Sequence, residues 1–377
     1  MVARYVRDVE VAGSNPVTPT SSTKSRAFFC AVDVNCVRKI LSFNSNFKLK
    51  TQMVRWGIIG SGWIAEKMAG DFRRVKGAKI VAVAARELSR AKAFADRFGI
   101  ARAYGSYDEL AADADIDIVY IATPHNFHLE HTMLCLKHGK HVLCEKPVTV
   151  NAAEFAVMRA EAERRHLFLM EAFWTNFLPT TQKALEWVKS GVLGRIELIQ
   201  ANLGFVMRND PQGRFFNPNL AAGSLLDLAI YNLNFGRLMA QSLEKSYSIT
   251  AQMTDRGIDN VDSIQVEYQN GISGLYATSS DALLVNDAYI VGTKGKVIVS
   301  DFHMSRRARL IIGEKVAETF TDRRTTAGYD YEAQSVTDCL RRGLTENPLR
   351  TLDDTESSMQ LLDAMRQRIG LRYPFEK

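Results

Sequence analysis

In Gly139-Lys140-His141-Val142-Leu143-Cys144-Glu145-Lys146-Pro147 a lysine follows directly on a short apolar strand, where it can act as an acid or base on a ligand bound beyond the strand end. Such a lysine suits removal of a hydroxyl proton as the neighbouring carbon gives up a hydride. Free lysine, of pKa ~10.4, is only about 0.1% neutral near pH 7.5, a deficit of roughly 4 kcal/mol. Partial burial or a neighbouring cation closes that gap, whereas Glu145 opposes it unless occupied elsewhere. The bland alternative is a solvated loop lysine. A second group lies in Gly223-Ser224-Leu225-Leu226-Asp227-Leu228-Ala229-Ile230-Tyr231, where Asp227 and Tyr231 stand four residues apart on one face of an expected helix. Tyr231, with an ordinary pKa of ~10, is neutral near pH 7 and suited to donate a hydrogen bond or proton to a carbonyl oxygen. Lys146 then steadies its phenolate or acts directly. Asp227 holds the lysine, binds a substrate hydroxyl, or simply complements a helix start.

These residues need a scaffold that carries the second reactant. Val54 to Ile59 is a mostly apolar run followed by Gly60-Ser61-Gly62-Trp63-Ile64-Ala65 and a helical stretch to about Arg74, which predicts strand, tight turn and helix. Gly60 permits the turn, Gly62 lets the backbone approach a pyrophosphate, and Ala65 lets helix and strand pack closely, with the phosphates over the helix N-terminus beside Trp63 and Ile64. The alternation continues through strand 79–85, helix 88–98, a short strand near Tyr104, strand 118–122, helix 127–137 and strand 141–144. This is a doubly wound parallel sheet binding a dinucleotide. Its ligand-facing loops are 86–90, 123–128 and 145–147, which makes Thr123, Pro124, Glu145 and Lys146 cofactor-facing. His128 is a candidate contact to the nicotinamide or substrate, although a lone histidine at a helix start also serves structure. Trp174 offers an aromatic wall, or plain core.

The second strand ends in Ala84-Ala85-Arg86, where an NAD site usually places a carboxylate for the ribose hydroxyls. Arg86 and Arg90, with Ser89 between them, suit a 2′-phosphate instead, which points to NADP; Glu87 is the counter-signal for NAD. No metal is called for, since the lysine takes the role zinc plays in other alcohol dehydrogenases and no ligand cluster is visible.

With these motifs in place, Gly60 and its turn, the Ala122-Thr123-Pro124 to His128 segment and Glu145-Lys146-Pro147 resemble the glucose-fructose oxidoreductase / inositol dehydrogenase / MocA family over nearly all of residues 53 to 377. The resemblance implies that Lys146 is the catalytic acid/base or its electrostatic helper and that Glu145 contacts the nicotinamide ribose. Tyr231 stands where the family more often has histidine, as it does in the dimeric dihydrodiol dehydrogenase, NADP-dependent xylose dehydrogenase and glucose-fructose oxidoreductase subgroup. The run from Met170 to Pro179 is similar to the dihydrodiol and xylose branch, with Asn176 where arginine is more usual. The expected activity is oxidation of a secondary alcohol, vicinal diol or aldose. An NADPH-dependent carbonyl or imine reductase and a non-catalytic dinucleotide sensor are the rival readings, the latter disfavoured by Lys146 together with Asp227.

The expected architecture is α/β: a Rossmann doubly wound parallel sheet over 53–173, then an α+β domain over 174–377 with an open, mostly antiparallel sheet. Hairpin signals at Asn270-Gly271 and Lys294-Gly295 mark its strands. The last helices, near 331–342 and 355–369, are expected to pack back on the nucleotide domain, and by family analogy the open sheet face builds a homodimer or homotetramer.

Composition is that of a globular protein, with 46% hydrophobic and 24% charged residues. Net charge is +6, but much of the excess precedes Met53, so no nucleic-acid surface is implied. No stretch approaches the roughly 18 uncharged apolar residues of a membrane helix, and there is no secretory pattern. Cys135, Cys144 and Cys339 read as reduced core thiols, consistent with the cytoplasm. Residues 1–52 lack periodicity, and Met53 is a plausible initiator. Gly13-Ser14-Asn15-Pro16-Val17 back-translates to a sequence resembling a transfer-RNA T-arm, so this segment is expected to be a false start, with a tail or transit peptide as alternatives.

Overall fold

The computed structural model describes residues 53–207 and 210–376, so the reading of residues 1–52 lies outside the described residues. The first half alternates strand and helix: β1 (Val54–Ile59), α1 (Trp63–Asp71), β2 (Ala78–Ala84), α2 (Leu88–Phe98), β3 (Arg102–Tyr104), α3 (Tyr107–Ala112), β4 (Ile118–Ile121), α4 (His128–Lys137), β5 (His141–Glu145), α5 (Ala152–Arg165) and β6 (Leu169–Ala172). The central strands are buried on both faces, the pattern that parallel sheets require when helices cover each side. All six strands are parallel, in the order β3-β2-β1-β4-β5-β6. The strand order reverses between β1 and β4, and the crevice beyond their carboxyl ends is where such sheets bind ligands. The expected doubly wound sheet is present.

A second sheet follows α6 (Pro179–Lys189). It is built from β7 (Ile196–Gly204), then, after α7 (Ile230–Ala240), β8 (Glu244–Met253), β9 (Asp259–Tyr268), β10 (Ser273–Ser279), β11 (Ala288–Gly292), β12 (Gly295–Ser300), β13 (Arg307–Ile312) and β14 (Lys315–Thr321). Its order is β14-β13-β12-β11-β7-β10-β9-β8, antiparallel throughout except for the β7–β10 pair. Strand β9 alternates buried and exposed residues, so one face packs and the other is open. Both expected hairpins are present, at Asn270-Gly271 and Thr293-Lys294. Helix α7 lies on β7 and β10.

The chain ends in α8 (Tyr329–Arg341) and α9 (Leu352–Ile369). Helix α8 packs on α1 and β1, while α9 packs on α5, β6 and β8. Polar ties fix α9: Arg159 pairs with Glu356 at 2.5 Å, and Asp363 accepts the Ala152 N–H at 2.8 Å. Arg350, just before α9, is buried in an ion pair with Glu171 of β6 and donates to Asn234 of α7 at 3.1 Å.

One element departs from expectation. The helix expected to open at Gly223 begins instead as a single π turn, Leu225–Ala229, before continuing as α7. Buried Asp259 takes the Leu225 N–H at 2.5 Å, and the Asp227 carbonyl is turned to a lysine of the other sheet. Such turns recur at functional sites because they redirect backbone groups.

Among the described residues, no helix is long and apolar enough to cross a membrane and no group of three or more His, Cys, Asp or Glu is arranged to hold a metal ion. Cys135, Cys144 and Cys339 are buried and unpaired.

Candidate active site

The turn after β1 has two glycines with different reasons to exist. Gly60 has φ +100°, and a Cβ there would lie 2.7 Å from the Ala122 carbonyl oxygen, so the protein's own backbone demands glycine. Gly62 is in extended backbone that any residue adopts, and a Cβ there would meet no protein atom within 4 Å. Internal packing therefore does not demand Gly62, and the open space beside it leaves room for a phosphate to approach the backbone. Helix α1 starts at the next residue with no side-chain cap, so its first N–H groups are available to an anion. Ala65 is fully buried against the sheet, Ile64 is half-buried, and Trp63 is 67% exposed with the Lys67 ammonium 5.4 Å from its ring centroid. The cradle fits a dinucleotide pyrophosphate. Beyond β2, Arg86, Ser89 and Arg90 are all exposed, and neither guanidinium is engaged by a carboxylate among the described residues.

Across the crevice, the end of β5 delivers Lys146 into a buried cluster. Its ammonium donates to the Asp227 carbonyl at 2.7 Å and to Asp227 Oδ1 at 3.3 Å, and lies 4.6 Å from the centroid of the Tyr231 ring. Burial pushes the Lys146 pKa down and Arg214 pushes it further, while Asp227 and Glu145 oppose. The Asp227 carboxyl is pushed up by burial, but Arg214 and Lys146 together outweigh that and hold it at about 2, so it is charged at neutral pH. Glu145 accepts the Tyr120 hydroxyl and the Lys146 N–H (3.2 Å); burial raises its pKa. Its charge is thus directed at Tyr120 and a backbone amide as well as at the lysine.

Tyr231 is arranged differently from the sequence expectation. Its hydroxyl accepts the Trp174 indole N–H at 3.3 Å, and the lysine sits over its ring face, where an ammonium is held by the ring quadrupole. Burial raises the phenol pKa far above its usual value, so Tyr231 stays neutral. Lys146 is seated to hold the ring rather than to steady a phenolate. Trp174 stacks on Tyr329 with ring centroids 4.5 Å apart, so it is a core residue as well as a donor to the site.

The loop after β4 holds a second correction. His128 is fully buried, with Nδ1 2.9 Å from the Pro147 carbonyl and Nε2 2.8 Å from the Thr123 carbonyl, so both ring nitrogens face backbone carbonyls and the neutral ring donates to one of them. It ties the loop to the Lys146-Pro147 turn. Thr123 Oγ1 is 3.0 Å from His131 Nδ1, and Pro124 is half-buried beside it. His125, three residues before His128, instead reaches the cluster: its Nε2 is 3.8 Å from Asp227 Oδ1 and 3.5 Å from an Arg214 nitrogen. Arg214 itself forms an ion pair with Asp227 Oδ1. Neither residue stood out in the sequence. The spacing of His125 from His128 was available as a signal; Arg214 lies in an irregular segment that no periodicity marks.

A parallel sheet with a phosphate cradle and a buried lysine–carboxylate pair beyond its strand ends defines a nicotinamide-dinucleotide oxidoreductase. Residues 54–173 match the oxidoreductase family with NAD-binding Rossmann fold, and residues 181–298 match the GFO/IDH/MocA C-terminal domain. The chain is 38% identical over 336 residues to the trans-1,2-dihydrobenzene-1,2-diol dehydrogenase of Sus scrofa, spanning 86% of this chain and 99% of that protein. To the Homo sapiens enzyme of the same name it is 36% identical over 334 residues, with the same coverage. In fold it is similar to an aldose-aldose oxidoreductase from Caulobacter crescentus complexed with glycerol, at a TM-score of 0.77 and 23% identity over 84% of this chain and 97% of that one. A 3-ketoreductase from Actinomadura kijaniata in complex with NADP and TDP-benzene gives a TM-score of 0.75 and 22% identity over 83% and 97%. The chain belongs to the GFO/IDH/MocA oxidoreductase family.

The two glycines should separate in experiment. Gly62→Ser supplies a good helix cap, so thermal unfolding should show a Tm equal to or above wild type, while NADP⁺ binding by fluorescence titration weakens at least ~10-fold. Gly60→Ala should instead lose ~1–3 kcal/mol of stability. Unimpaired binding by Gly62→Ser would mean that no phosphate lies there.

Proposed function

We propose that this protein is a cytoplasmic NADP-dependent dehydrogenase of vicinal diols or aldoses in which Lys146 is the acid/base. The observation that carries the reading is the buried Lys146 ammonium, held between Asp227 and the Tyr231 ring beyond the strand ends that also carry the phosphate cradle. The dihydrodiol dehydrogenase relatives support the substrate class. When bound, the nicotinamide supplies the two-electron acceptor. Gly60, Gly62 and the start of α1, with Trp63, Ile64 and Ala65 around them, hold the pyrophosphate; Arg86, Ser89 and Arg90 hold a 2′-phosphate; Thr123, Pro124, Glu145 and Trp174 border the nicotinamide end.

Neutral Lys146 takes the proton of the substrate hydroxyl. Its burial supplies part of the roughly 4 kcal/mol needed to reach that neutral form, and Arg214 adds to it. Once protonated, the ammonium is stabilised by the Asp227 carboxylate and carbonyl, so proton transfer has a prepared end point. The Tyr231 hydroxyl, oriented by Trp174 and neutral, donates to the substrate oxygen. The same groups serve carbonyl reduction when run in reverse. The assembly is proposed as a homodimer or homotetramer through the open face of the eight-stranded sheet, where Leu275 is exposed.

In the full chain, Lys146→Met should lower kcat by ~10²–10⁴-fold with NADP⁺ and a panel of cyclic diols and aldoses, with NADP⁺ affinity kept within a few-fold. Wild-type turnover by this variant would remove Lys146 from the chemistry. Replacing Arg86 and Arg90 together by alanine should raise the Kd for NADP⁺ at least ~10-fold with little change for NAD⁺. Equal weakening of both cofactors would assign the arginines no part in choosing between them.

A further inference from the structure

Around Lys146 the polar groups are not all paired. Among the described residues, Asp227 Oδ2, His125 Nδ1 and Arg214 Nε are buried and have no hydrogen-bond partner. Asp227 uses only Oδ1, which takes Arg214, Lys146 and the more distant His125. Its other oxygen accepts nothing. Arg214 lies over the Phe215 ring and has a side chain 39% exposed, so part of its five-donor fork is still open to a bound molecule. Buried acceptors are left bare at a cost, and in an active site that cost is relieved by whatever binds there.

The donor set discriminates among ligands. A carboxylate only accepts, so it would leave Asp227 Oδ2 bare and set like charge against it. A hydroxyl both donates and accepts, and can bridge Asp227 Oδ2 and an Arg214 N–H at once. Lys146 stands at the other oxygen of the same carboxylate. Lys146 donates to that oxygen and to the Asp227 carbonyl, so a hydroxyl held by Asp227 Oδ2 and Arg214 has the lysine as its neighbour on the same residue. An isolated alcohol fills only one of these positions.

We infer that Arg214 is a specificity-determining residue which, with Asp227 Oδ2, binds the hydroxyl next to the reacting one and so selects 1,2-diols and sugars over isolated alcohols. This rests on Lys146 as the acid/base. Removing Arg214 also takes a cation away from Lys146, but that effect falls equally on every alcohol, so the ratio of two substrates isolates the recognition.

The test uses the full chain with NADP⁺ and compares kcat/KM for cyclohexane-1,2-diol and cyclohexanol. Wild type should favour the diol at least ~100-fold, since a site built to pair a hydroxyl rejects the analogue lacking it. Arg214→Met should cut that ratio at least ~10-fold, and Arg214→Lys, which keeps a donor, should fall between. Retained Tm and NADP⁺ binding show that each variant is folded; should the methionine variant not fold, the lysine variant decides, an unchanged ratio counting against the inference. A ratio unchanged in Arg214→Met, even with slower turnover and a displaced pH profile, overturns it, as does a wild type with no preference. Full activity in Lys146→Met, or turnover of neither alcohol by wild type, would instead remove the underlying reading and this inference with it.

Discussion

One buried contact joins the two sheets at the point where chemistry is proposed: the Lys146 ammonium, carried by the end of β5, on the carboxylate and carbonyl of Asp227 in the turn that opens α7. Placing a lysine in a buried setting costs several kcal/mol unless its charge is met, and meeting it fully would leave the lysine too basic to act. The cluster resolves this with opposed neighbours. Asp227 and Glu145 favour the ammonium, while burial and Arg214 favour the neutral amine. Because Arg214 also pairs with Asp227 Oδ1, the aspartate keeps its charge without committing all of it to the lysine.

The surrounding structure keeps that balance in place. Tyr120 bonds Glu145 from the neighbouring strand, and His128 pins the turn at Pro147 from beneath. Behind them, Glu171 pairs with Arg350, which also donates to Asn234 of α7, and Asn234 donates to Asn176 Oδ1 at 2.6 Å. Removing one member of a buried pair costs ~3–5 kcal/mol, so this network resists relative sliding of β6, α7 and the segment before α9. This network braces the side of the site that holds the lysine, while Arg214, its side chain partly exposed, lies on the more accessible side.

Much of this was legible in residue order. A parallel sheet announces itself by continuous apolar runs after each helix, and Gly60 and Gly62 followed by Ala65, set between an apolar run and a helical stretch, fit a tight strand-to-helix turn. Lys146 was conspicuous because charge directly after a buried strand needs a reason. What could not be read was direction in space. Asp227 and Tyr231 share a helix face by spacing, yet the π turn and Trp174 decide that the lysine meets the ring and leaves the hydroxyl to the indole. His125 and His128 are alike in sequence; the curl of one loop buries the second against two carbonyls and turns the first toward Asp227. Arg214 comes from an irregular segment, and its partner is fixed only by long-range folding. Asn176, which stood where arginine is usual, bonds the Leu349 carbonyl at 3.0 Å, while a guanidinium reaches Asn234 from Arg350 instead.

Asp227 holds Lys146 toward its charged form against burial. The most direct measurement is the pH dependence of kcat/KM for alcohol oxidation in wild type and Asp227→Asn. Rate falls on the acid side as Lys146 becomes protonated, and because the aspartate raises that pKa, its neutralisation should move the acid limb to lower pH, with the plateau reduced. A limb that stays in place, or moves to higher pH, would mean that the group titrating in catalysis is not the lysine bound to Asp227.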